Sequence, residues 1–154
     1  MIQFHKAIAT VMGLGYAPIA PGTFGTIGAV IFFLLLNIFG ITLSLPLLVS
    51  VTLICALVGI WSTDHVIPEW GDDPSKVVID EFVGYLITMF LVPVEPKYLL
   101  AAFILFRFFD ILKPLGIRYL DTKIKGGTGV MLDDVLAGVY ACICLHLIIR
   151  FIPF

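Results

Sequence analysis

Three apolar runs constrain this chain more than anything else in it: Phe24 to Leu43, Pro46 to Ser62 and Gly129 to Ile149. A helix needs roughly 20 apolar residues to cross the hydrocarbon of a bilayer, so each run predicts a membrane span. Two shorter apolar segments, Val77 to Val92 and Tyr98 to Leu112, lie between them, bounded by "PVEP" and by charged loops. Each is expected either to cross obliquely or to stop partway and pack against the full spans. The fold class that follows is all-α: a small helical-bundle membrane protein of about five helical elements, some short or only partly spanning. Composition supports this, because only 13% of the 154 residues are charged, about half the share in an ordinary soluble domain. The net charge of −2 provides no basic field for nucleic acid.

Cys55, Cys142 and Cys144 all sit in apolar runs and read as small buried hydrophobes. Cys142 and Cys144 are two residues apart, so on a helix they point to opposite sides and share neither a metal nor a bond. The opening "MIQFHKAIATVMGLGY" is too weakly apolar for a cleavable signal peptide. His5, His65 and His146 are scattered and read as structural or incidental.

Orientation follows from basic residues, which favour cytoplasmic loops. With five crossings and the N-terminus inside, the inner pieces carry Lys6, Lys76, Lys113, Arg118, Lys123 and Lys125, and the outer pieces only Lys97 and Arg150. The N-terminus is therefore expected in the cytoplasm and the C-terminus outside. The loop 63–78 is mostly acidic, with Asp64, Glu69, Asp72 and Asp73, but acids weigh little in this rule. The same topology gathers the charges of the apolar segments at one depth. Asp80 and Glu81, Arg107 and Asp110, Asp133 and Asp134, and the loop "PGTFGT" all fall at the cytoplasmic ends of their elements. Charge at that depth costs several kcal/mol unless it is paired or solvated. Five mutually repelling carboxylates are poorly neutralised by two basic residues; a divalent cation would neutralise them.

Each motif also has a plainer reading. In "VVIDEFVG", Asp80 and Gly84 share a helical face. Acids in a first turn also simply complement the helix dipole, so this motif alone divides evenly between cap and ligand. In "FRFFDILKP", Arg107 and Asp110 are three apart among phenylalanines, with Lys113 extending the stripe before Pro114. An internal ion pair is the plain reading; an Asp on a metal, with Arg and Lys aimed at an anion, is the favoured one. In "GGTGVMLDDVLAG", Asp134 and Gly138 repeat the spacing of Asp80 and Gly84. Adjacent aspartates in an apolar helix favour metal binding.

Hard oxygen donors without a His or Cys cluster select Mg²⁺ or Mn²⁺ over zinc, and a carboxylate-held Mg²⁺ commonly bridges to phosphate. A glycine-rich entrance to a helix is a natural anion site, although Gly22, Gly25 and Gly28 match no nucleotide fingerprint. By itself that entrance reads as a helix start capped by Thr23.

The four stretches "GYAPIAPGTFGT", "VVIDEFVG", "FRFFDILKP" and "GGTGVMLDDVLAG", in this order, closely resemble the bacterial phosphatidylglycerophosphatase A family. The likeness covers nearly the whole chain, so residues 1–154 are expected to form a single domain of that kind. One departure stands after "KP", where the family commonly has a second proline two residues on and this chain has Leu115 and Gly116. The resemblance implies a small helical Mg²⁺-dependent enzyme of the inner membrane, its site facing the cytoplasm, that converts phosphatidylglycerophosphate to phosphatidylglycerol. On that footing Asp80, Glu81, Asp110, Asp133 and Asp134 are expected to hold one or two Mg²⁺ ions and to serve catalysis. Arg107 and Lys113, with backbone groups of Thr23, Gly25 and Thr26, are expected to bind the phosphate. No nucleophile is marked. Competing readings are a phosphatase of another lipid phosphate and a small ion-coupled transporter. Transporter sites lie near the midplane on broken helices, whereas these acids gather at helix ends.

Overall fold

The structure is a computed structural model that describes residues 1–72, 74–114, 116–117 and 123–152. Asp73, Leu115 and Arg118, which entered the reading of the loops, lie outside the described residues. Among the described residues every regular element is helical. They are α1 (Ile2–Ala9), a short 3₁₀ turn (Leu14–Tyr16), α2 (Pro21–Ile38), α3 (Leu45–Trp70), α4 (Ile79–Thr88), α5 (Pro96–Leu112) and α6 (Gly126–Phe151).

Helices α2, α3 and α6 are long and apolar enough to cross a membrane. The 26 residues of α3 and of α6 each rise about 39 Å, more than the ~30 Å of hydrocarbon they would traverse. The 10 residues of α4 reach only about 15 Å. This shorter element is too short to cross alone, and α2, α3, α5 and α6 all pack around it. No residue of α4 is exposed.

Burial of α4 is made possible by small residues. Where helices meet without water to expel, close backbone approach and van der Waals packing replace the usual hydrophobic drive. Gly84 of α4 faces Gly138 of α6, and Ala102, Ala137 and Ala141 lie fully buried around that seam. The larger members of the core are Tyr85 and Phe106, both fully buried. The Tyr85 hydroxyl is not wasted, donating to the Leu99 carbonyl of α5 at 2.8 Å.

Several boundaries differ from the sequence expectation. Helix α2 begins at Pro21, not Phe24, because Pro at the first helical position gives up no hydrogen bond. Helix α3 runs past Ser62 to Trp70, since its last turns are amphipathic and rest on α1. There Val66 is fully buried, and Lys6 of α1 pairs with Glu69. That N-terminal helix was not anticipated. It also fixes the approach to α4, the Val78 N–H donating to the Ala9 carbonyl at 2.8 Å.

The histidines lie apart from the acids. His5 stacks on His65, centroids 4.2 Å apart and rings 8° from parallel. His146 Nδ1 lies 2.9 Å from the Cys142 carbonyl.

Candidate active site

Three helix ends, the interior of α6 and one approach loop line a polar cavity of about 350 Å³. Its charged lining consists of Asp80 and Glu81 from the start of α4, Arg107 and Asp110 from the end of α5, Asp133 and Asp134 from α6, and Lys113. The acids of α6 were expected to open their helix. Instead Asp133 lies seven residues inside it, about 10 Å from the start at Gly126. That depth is what brings α6 level with the first turn of α4.

One oxygen from each of Asp80, Glu81 and Asp134 can be chosen so that all three lie within 4.8 Å of one another. Asp80 and Asp134 are buried. Asp80 Oδ1, Glu81 Oε2 and Asp134 Oδ2 are enclosed and accept no hydrogen bond in the structure. A buried acceptor left unsatisfied costs roughly 1–3 kcal/mol, more when charged. Burial pushes the Asp80 carboxyl well above the ordinary carboxylate range, helped by the neighbouring charges of Glu81 and Asp133. It likewise raises Glu81 to about 7. These are the conditions under which a cation stabilises a site, since converging hard oxygens with open lone pairs match a divalent ion's demands. The three residues could hold a metal ion.

Basic side chains orient the remaining acids. Arg107 Nη1 donates to Asp110 Oδ2 at 2.5 Å and lies 3.9 Å from Glu81 Oε1. Its buried Nε has no hydrogen-bond partner in the structure. Lys113 Nζ donates to Asp133 Oδ2 at 2.5 Å. Lys113 ends α5 in the left-handed region, φ 44°, which turns its side chain back over the cavity. Ala20, at the opposite rim, is also left-handed at φ 49°. Such non-glycine positions cost of order 1–3 kcal/mol and tend to gather at functional sites.

The glycine-rich loop needs correction. Ala20, Pro21 and Gly22 line the cavity; Thr23, Gly25 and Thr26 are not among its lining residues. Thr23 is already inside α2, so it does not cap it; the cap position is Ala20. A β-carbon on Gly25 would come 2.7 Å from Val78, so Gly25 serves the packing of α2 on the approach to α4. The buried Thr26 hydroxyl donates back to the Gly22 carbonyl at 2.9 Å. Gly22 is the residue that meets the site, since a β-carbon there would strike Glu81 and reach within 3.1 Å of Arg107 Nη1.

Sequence reasoning also missed Asp64. Its Oδ1 accepts the Gly127 N–H at 2.6 Å, capping α6 from α3. The partners are 63 positions apart, and no local spacing announces such a cap.

Carboxylates converging beside an arginine and a lysine, at one end of a bundle with three membrane-length helices, suit the handling of phosphate by a membrane enzyme. The comparisons make this specific: the chain belongs to the phosphatidylglycerophosphatase A family, whose model matches residues 7–149. It is similar to the phosphatidylglycerophosphatase A of Haemophilus influenzae, 40% identical over 92% of this chain and 86% of the relative. The Escherichia coli phosphatidylglycerophosphatase A is 34% identical, over 92% and 81%. A Bacteroides thetaiotaomicron protein named as a putative phosphatidylinositol-3-phosphatase is 43% identical, over 90% and 89%. No solved structure gives a significant match. The chain is a phosphatase.

Proposed function

We propose that this phosphatase hydrolyses phosphatidylglycerophosphate to phosphatidylglycerol and inorganic phosphate, using Mg²⁺, at the cytoplasmic face of the inner membrane. The observation that carries the reading is the convergence of Asp80, Glu81 and Asp134 oxygens within 4.8 Å, three of their enclosed oxygens unsatisfied, in a cavity that also presents Arg107 and Lys113. The family's name supports the choice of substrate.

In this reading Asp80, Glu81 and Asp134 hold the cation, with Asp110 and Asp133 completing the acidic wall. A cation held there would supply positive charge and Lewis acidity for phosphoryl transfer. Arg107 offers its Nε to the terminal phosphate, while its ion pairs fix Asp110 and Glu81. Lys113 holds Asp133 and sets the positive edge of the cavity. Gly22 keeps the rim of α2 free of side chain where the headgroup enters. The backbone N–H groups of Ala20 and Gly22 take over the phosphate-binding role expected for Thr23, Gly25 and Thr26, Pro21 between them having none. Water attacks phosphorus, the bond from phosphorus to the glycerol oxygen breaks, and one proton of the water passes to that oxygen, giving the alcohol of the lipid product and inorganic phosphate.

Phosphate release from phosphatidylglycerophosphate by purified protein, with Mg²⁺ and then with EDTA, tests the proposal. The expected result is release that EDTA abolishes and Mg²⁺ restores. Release indifferent to EDTA, or none from this lipid, rejects it. The name of the Bacteroides relative makes phosphatidylinositol 3-phosphate the second substrate to assay; preference for it would reassign the headgroup and leave the site in place.

A further inference from the structure

A second cavity, about 300 Å³ and lined only by apolar side chains, lies between α2 and α5. We infer that it seats an acyl chain of the lipid whose phosphate occupies the polar cavity; the inference rests on the lipid-phosphatase reading above.

The register of the two helices carries the argument. On α2, Gly22 lines the polar cavity, while Ile27, Val30 and Leu34 line the apolar one. Those three recur at helical spacing, so they share one face. On α5, Arg107 lines the polar cavity, and Phe103 and Leu99, one and two turns earlier, line the apolar one. Both helices thus pass from charged groups to hydrocarbon in the same direction, phosphate end first. A glycerophospholipid has that same order of headgroup and chain. The length agrees as well: Leu34 lies 12 residues beyond Gly22, about 18 Å along the axis, close to the ~15 Å depth of one leaflet.

The groove also opens sideways. Leu99 forms its buried floor, while Leu34 and Leu100 at its mouth are exposed. A chain already in the bilayer can therefore slide in laterally, its headgroup meeting Arg107 without the lipid leaving the membrane. The apolar cavity beside the α2–α3 connection has no such link to the acids.

Leu34→Trp and Leu100→Trp fill the mouth from exposed positions, so folding is little burdened. Each is assayed in full-length protein on diacyl phosphatidylglycerophosphate and on its deacylated, water-soluble counterpart. The expected result is a loss of about tenfold or more in kcat/KM on the diacyl substrate, the scale on which an apolar pocket discriminates, with the deacylated substrate unchanged. Equal loss on both, or no loss on either, overturns the groove. A second measurement is independent of turnover. A diacyl lipid phosphate carrying a photoactivatable group in one chain should label the groove residues of α2 and α5. Unlabelled lipid phosphate should suppress that labelling and phosphatidylcholine should not. Suppression by both lipids alike means annular lipid only and overturns the inference. Wild-type protein that hydrolyses neither substrate rejects phosphatidylglycerophosphate as the substrate, while the labelling still decides the groove.

Discussion

Gly84 of α4 and Gly138 of α6 meet with backbone against backbone. A β-carbon on Gly84 would come 2.7 Å from the Asp134 carbonyl oxygen, and one on Gly138 would run into the Gly84 carbonyl. Asp80 lies one turn before the first glycine and Asp134 one turn before the second. The seam therefore sets the distance between two of the three converging carboxylates.

Gly138→Ala should force the helices apart. Overpacking of this kind costs about 1–3 kcal/mol, and here it also separates Asp80 from Asp134. The expected outcome is a lower Tm in detergent together with a higher Mg²⁺ concentration for half-maximal activity. An unchanged Mg²⁺ requirement would show that the seam is only structural.

Asp134→Asn should exchange stability for function. Removing one buried carboxylate relieves repulsion and desolvation, so the metal-free variant should gain roughly 0.5–2 kcal/mol, the range that single stabilising substitutions commonly give. Activity should fall by about 100-fold or more, beyond the 10–100-fold cost of disturbing a ligand's supporting partner. Thermal unfolding with EDTA and with Mg²⁺ checks both parts, because the variant should also lose the metal-induced rise in Tm that binding confers on the wild type.

Arg107→Lys should not behave as a conservative change. One guanidinium holds Asp110 at 2.5 Å, approaches Glu81 at 3.9 Å and keeps Nε unpaired; a lysine's single ammonium cannot reproduce that fork. Loss of one charged hydrogen bond to substrate, about 1.5–3 kcal/mol, corresponds to roughly a 10–150-fold fall in kcat/KM. Steady-state kinetics read this directly.

Asp64→Ala should destabilise the start of α6 by about 1 kcal/mol, the ordinary value of a lost helix cap, whereas Asp64→Asn keeps an acceptor and should retain most of it. Comparing the two Tm values in the same detergent separates the hydrogen bond from the charge.

Part of the candidate site was legible because charge is costly in an apolar segment: that cost, with helical spacing and the family resemblance, singled out Asp80, Glu81, Arg107, Asp110, Lys113, Asp133 and Asp134, and all line one cavity. The three long helices were legible from run length. What escaped was decided between distant segments. Glycine content drew attention to Gly25, yet only the packing of α2 against Val78 and Glu81 shows that Gly22 faces the site and Gly25 does not. The extension of α3 to Trp70 depends on a helix near the N-terminus that covers it, and hydropathy along the chain does not report such a partner.

The enclosure of α4 bears on how the protein ages and adapts. A helix with no side toward the lipid evolves under the rules of a soluble core, where each methyl group is felt. The outward sides of α2, α3 and α6 face a solvent that asks only for oiliness. The outer coat can drift to suit a stiffer, thinner or differently composed bilayer while the chemistry stays fixed. Backbone amides of α4 should accordingly be among the last in the molecule to exchange with deuterated water.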